Sequence, residues 1–205
     1  MKTLKTTKPT PTTTLPPCSQ PFRGKIALAY EMTQTANTDK VVRFIKRHLY
    51  NSTNYKFDDG TTQALNVPYP DSGVYENYIL HYPDARSVEM LDVNIDQLLS
   101  EAVDLKNAKI ERAYEYIYEE RDPGSDSTNV LITVGVDDTS VFGGSATSYL
   151  HQLQNKYGFR SIVVSIGEEE NYLESLAESP DWYFAATDSN SAWVADQISR
   201  IICYL

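Results

Sequence analysis

No apolar run in this chain approaches the ~20 residues that a membrane-spanning helix needs. The N-terminal lysines are not followed by the apolar core of a signal peptide either, so secretion would require a leader already removed or a native start further upstream. Basic residues are few and scattered: 18 Lys and Arg stand against 28 Asp and Glu, for a formal charge of −10. That balance argues against nucleic-acid binding and against binding to an anionic membrane. Catalytic signatures are missing as well, with no HExxH, CxxC, nucleophile elbow, kinase set or GxGxxG fingerprint. His48 falls mid-helix among basic residues and His151 on a helix surface, neither beside a catalytic partner. A phosphohydrolase would also set an acid after its first strand, yet it needs a basic residue to steady the phosphate, and the loops after the apolar strands supply acids. No internal repeat or coiled-coil heptad occurs, and Gly143-Gly144 alone does not make a phosphate cradle.

What is present is a folded domain's composition, 41% hydrophobic over 205 residues, enough for a full core plus an extension. Tyrosine is unusually common, 15 against six phenylalanines. Tyr114, Tyr116 and Tyr118 alternate along a helical segment and cannot share one face, so at least one should meet solvent. Residues 1–17, rich in Thr, Pro and Lys, have almost nothing to bury and are expected to be a disordered linker or an O-glycosylated stalk. The folded domain is expected over residues 18–205.

Within it, Lys25–Tyr30, Val130–Val136 and Ser161–Gly167 are apolar runs without period-2 alternation, each followed by acids. Such runs predict strands buried on both faces, with a ligand face at their C-terminal ends. A helix is expected over 39–50, then Asn51-Ser52-Thr53, an N-glycosylation acceptor in form. Gln63–Tyr69 should be a strand kept from the sheet centre by Pro68, with Glu76–His81 as an antiparallel edge strand after the turn Pro70-Asp71-Ser72-Gly73. Helices follow at 88–102, 108–120, around Tyr149–Tyr157, 171–178 and 191–203, with a short strand at Trp182–Ala186. The expected fold class is α/β, a doubly wound, mainly parallel six-stranded sheet with one antiparallel edge strand and helices on both faces. The runs at Lys25, Val130 and Ser161 should be central.

This order resembles the von Willebrand factor A-type domain from Cys18 onward. KIALAYEMTQT stands where the family has an apolar strand ending in Asp-x-Ser-x-Ser, with Glu31, Thr33 and Thr35 at those places. LITVGVDD resembles the fourth-strand segment that ends in Thr-Asp-Gly, with Thr133 and Gly135 matching and Val134 in place of the acid. SPDWYF at 179–184 resembles the family's Pro-x-x-Tyr-Phe before a last amphipathic helix.

The resemblance implies a non-enzymatic binding or adhesion module of a larger secreted or cell-surface protein, with a protein or extracellular-matrix ligand. Alternatives are a structural spacer or oligomerisation unit, or a doubly wound phosphohydrolase. It also implies a metal site at the top of the sheet, here degenerate: Glu31, Thr33 and Thr35 keep an acid and two hydroxyls, Asp104 takes the place of a later threonine, and Val134 removes an acid that Asp137 or Asp138 would have to replace. Hard divalent cations want tight oxygen shells, so weak Mg²⁺ binding or none is expected. Several extracellular members place a domain-closing disulfide where Cys18 and Cys203 stand, which would imply an oxidising compartment. The alternative is a pair of free thiols in a cytosolic protein. A bridge there would restrain the last helix, which slides in relatives that switch affinity.

Overall fold

The computed structural model describes residues 15–33, 36–70, 78–102, 108–120, 127–136, 139–167 and 171–205. In chain order the elements are β1 (Gly24–Glu31), α1 (Ala36–Phe44) running on into a π-helical turn at Ile45–Leu49, β2 (Thr62–Tyr69), α2 (Val88–Ser100), β3 (Ala108–Lys109), α3 (Glu111–Glu119), β4 (Thr128–Gly135), β5 (Ser140–Val141), α4 (Gly144–Tyr157), β6 (Phe159–Ile166), β7 (Tyr183–Ala186) and α5 (Ser191–Cys203).

Five strands form one parallel sheet in the order β2-β1-β4-β6-β7. The three continuous apolar runs supply β1, β4 and β6 at its centre, each almost wholly buried. A strand covered on both faces gains from an apolar side chain at every position, which explains the missing alternation. Helix α3 packs on α4, and α5 packs on the π-helical turn after α1. Ser87 caps α2 by accepting the Met90 N–H at 3.1 Å. Helix α4 stops at Gly158, whose φ of 66° is left-handed and whose N–H returns to the Gln154 carbonyl at 3.1 Å.

Several expectations are corrected. Among the described residues the sheet has five strands, all parallel, rather than six with an antiparallel edge. Glu76 and Asn77 lie outside the described residues, and Tyr78–His81 form no strand. The Tyr78 carbonyl is taken by the Asn94 side-chain amide at 2.5 Å, while Ile79 and Tyr82 turn into the core, Tyr82 beneath the Lys25 ammonium. A segment whose polar backbone is met by side chains has no ladder to build. Strand β2 is an edge, consistent with Pro68 in its length. Ala108 and Lys109, expected as the start of a helix, instead pair in parallel with β5. The helix expected after β6 is present as a 3-10 helix at Asn171–Leu176. Tyr114 is buried and Tyr116 and Tyr118 are half-exposed.

Cys18 and Cys203 are bonded, with their Cα atoms 5.9 Å apart. The chain ahead of Cys18 also touches α5: Arg200 Nη1 donates to the Leu15 carbonyl at 2.6 Å, and the Tyr204 hydroxyl to that of Pro17 at 3.1 Å.

Candidate functional site

Parallel strands deliver their last residues to one edge of the sheet, and Glu31, the last residue of β1, sits there with no exposed surface. Its carboxylate is surrounded by donors. Oε1 accepts from Thr139 Oγ1 at 2.6 Å and Thr33 Oγ1 at 3.5 Å, and Oε2 accepts from Ser140 Oγ at 2.6 Å and the Val136 N–H at 3.3 Å. A second layer fixes the first. The Tyr69 hydroxyl, at the end of β2, donates to the Val134 carbonyl at 3.1 Å and lies 2.9 Å from Ser140 Oγ. Thr38 Oγ1 accepts the Thr33 N–H at 2.8 Å, donates to the Thr33 carbonyl and stands 3.2 Å from Thr33 Oγ1.

Gly135 makes the arrangement sterically possible. A β-carbon there would meet Ser140 Oγ and Tyr69 Oη at 2.5 Å each and Leu173 Cδ1 at 3.0 Å. The glycine is required by close approach of the hydroxyls. Burial pushes the Glu31 carboxyl above its usual range, opposed by the hydrogen bonds from Ser140, Thr139, Val136 and Thr33 in that order.

A small hard cation needs carboxylate and hydroxyl oxygens with lone pairs turned inward at about 2 Å. Here the hydroxyls of Thr139 and Ser140 direct protons at both Glu31 oxygens. Among the described residues no group of three His, Cys, Asp or Glu side chains is placed to hold a metal. Among the described residues, both Glu31 oxygens are thus already engaged by hydroxyl donors. Of the residues expected at the site, the structure brings Glu31 and Thr33 together. Thr35, Asp104, Asp137 and Asp138 lie outside the described residues. Val134 is fully buried and contributes its carbonyl to Tyr69.

Sequence reasoning reaches Gly135 through the fourth-strand resemblance but misses Tyr69, Thr38, Thr139 and Ser140. The available signal is the pair of hydroxyls, Thr139 and Ser140, directly after Asp137-Asp138. Beside the site, Phe142 and Tyr172 stack at a tilt with ring centroids 4.8 Å apart, and Tyr172 is 43% exposed. The Tyr172 hydroxyl donates to the Phe142 carbonyl at 3.3 Å, which holds the pair in register. Of the histidines, His81 pairs with Glu120 at 2.9 Å, and none of the three meets the Glu31 carboxylate.

No family model matches the chain. An uncharacterized protein of Caenorhabditis elegans is 72% identical over 174 residues, which cover 85% of this chain and 100% of the relative. Among solved structures, proximal thread matrix protein 1 of the mussel byssus superposes with a TM-score of 0.69 at 17% identity, over 91% of this chain and 48% of that one. This chain thus spans about half the length of the mussel protein, which has also been solved with its MIDAS motif occupied by zinc. The vWF domain of a type V pilus tip protein from Porphyromonas gingivalis gives a TM-score of 0.60 at 8% identity, over 90% of this chain and 96% of that one. At such identities the likeness is one of fold.

Proposed function

Because the chain has the von Willebrand factor A-type fold and belongs to one family with the nematode protein, we propose that it is a non-enzymatic extracellular binding module, and that it recognises a protein or matrix ligand without a metal ion. The observation that carries this reading is the Glu31 carboxylate, with both oxygens occupied by the hydroxyls of Thr139 and Ser140. A metal-dependent relative would hold its ion at that edge of the sheet. Here hydroxyl protons fill the corresponding space, so the site is degenerate. The extracellular assignment is supported by the Cys18–Cys203 bridge, since such bonds persist in oxidising compartments. No helix among the described residues is long and apolar enough to cross a membrane.

With no ion to capture a ligand carboxylate, contact falls to the aromatic pair at the same edge. Phe142 and Tyr172 present rings already fixed by packing and by the Tyr172 hydroxyl, so little side-chain entropy is lost on contact. Binding of the oxidised protein to a panel of purified extracellular-matrix proteins, with and without EDTA, tests the reading. The expected result is binding that EDTA leaves unchanged and that Phe142→Ala with Tyr172→Ala removes. Loss of binding in EDTA overturns the metal-free mode, failure to bind any of the panel favours a spacer, and turnover of a phosphate ester restores the enzyme.

A further inference from the structure

The end of the sheet opposite Glu31 carries the domain's covalent closure and also a side chain that the binding reading does not use. Helix α1 and its π-helical turn run back against the strands and end at Tyr50, which places Asn51 at the N-terminal edge of the sheet. Two contacts fix the turn that follows. The Phe22 N–H, just ahead of β1, donates to the Asn54 carbonyl at 2.7 Å, and Asn54 Nδ2 donates to Ser199 Oγ on α5 at 2.8 Å. Asn51 and Thr53 are exposed on this anchored turn, and Asn51-Ser52-Thr53 is the chain's one Asn-x-Ser/Thr sequence.

We propose that Asn51 is a site of N-linked glycosylation. The proposal rests on the extracellular reading, because the modification is made only on chains that enter the secretory route. The geometry of the amide suits it. Asn51 Nδ2 has two hydrogens and donates one to the Lys46 carbonyl at 2.5 Å, closing an otherwise open carbonyl of the π-helical turn. The second hydrogen has no partner among the described residues and is the one replaced. The donor is a lipid-linked oligosaccharyl diphosphate. The bond from sugar C1 to the diphosphate oxygen breaks, a bond from C1 to Asn51 Nδ2 forms, the amide proton goes to a base of the transferring enzyme, and the lipid diphosphate leaves. The hydrogen bond to Lys46 survives, so the linkage is held in a set direction.

That direction has a receptive surface. A groove of about 470 Å³ runs from the turn past Cys18 to α5, with Arg47, His48, Asn54, Asp196 and Arg200 in its walls. Charged and amide walls of this kind match the hydroxyl-rich faces of a first sugar, which would lie against the bridge. Eight-residue strands at ~3.3 Å per residue put this groove about 25 Å from Glu31. Glycan, bridge and N-terminal segment then share one end of the domain, and the Phe142 and Tyr172 edge stays uncovered.

The full chain, secreted behind a leader from cells that perform N-glycosylation, gives the test. Peptide N-glycosidase in heavy-oxygen water should convert Asn51 to a labelled Asp, with a matching loss of mass from the intact protein. Label and mass loss should vanish in Asn51→Gln and in Thr53→Ala and persist in Thr53→Ser. Because Thr53 is exposed, its variants keep the test valid should Asn51→Gln fold poorly. A secreted, bridged chain with Asn51 unmodified overturns this inference alone. A chain kept in the cytosol with free thiols overturns both this inference and the extracellular reading.

Discussion

Glu31 ionises inside protein, and the cost shows in the pH dependence of stability. Its folded pKa is raised above the ordinary 4.5 by burial. Below 4.5 the carboxyl is protonated in folded and unfolded chains alike and its contribution is fully present. As pH rises through the folded value the unfolded chain binds fewer protons, and that contribution is lost. Glu31→Gln removes this titration, so urea midpoints of the variant should decline less over that range than those of the parent, with the raised Asp92 carboxyl still contributing to both. Gly135→Ala should cost about 1–3 kcal/mol in urea unfolding, as overpacking usually does, because the added methyl would meet two hydroxyl oxygens at 2.5 Å. Glu31 was legible in the sequence, since an acid ending an apolar run marks a strand terminus. Its partners were not. Thr139 and Ser140 lie 108 and 109 residues away, and no local pattern tells which hydroxyl will close on which carboxylate.

Elements followed the sequence where burial was uniform. The runs in β1, β4 and β6 could be placed at the sheet centre because nothing but two-sided cover explains them. The final helix, Ser191–Cys203, was legible from its inward Val194, Ile198, Ile201 and Ile202. Elements set by side chain-to-backbone bonds were not legible. The missing edge strand at Tyr78–His81 turns on Asn94, a polar residue on the opposite side of a later loop. The Gly158 stop was readable, and it carries an element-scale prediction. Its φ of 66° with open space around the Cα isolates backbone strain from packing. Gly158→Ala should therefore lower stability by about 1 kcal/mol, the left-handed penalty for a side chain, with an unchanged denaturant slope.

At the scale of the whole molecule, the bridge ties the segment before β1 to the end of α5 across 185 residues of chain. Closing so long a loop restricts the unfolded ensemble by roughly 5 kcal/mol in the chain-entropy model. Cys18→Ser with Cys203→Ser should lower the unfolding free energy by about that amount, measured in denaturant against the oxidised parent. The same tie, with the Arg200 and Tyr204 contacts to residues 15–17, opposes sliding of α5, so the double variant should also exchange the amide hydrogens of its last turn faster.

In the proposed reading, a tied α5 and an occupied carboxylate belong to a binder that needs no ion and does not switch. Calorimetric titration of the oxidised protein with Mg²⁺ and with Mn²⁺ tests this most directly. The expected result is no saturable heat at micromolar or low millimolar metal, identical in the parent and in Glu31→Ala. A micromolar dissociation constant that Glu31→Ala abolishes would contradict it.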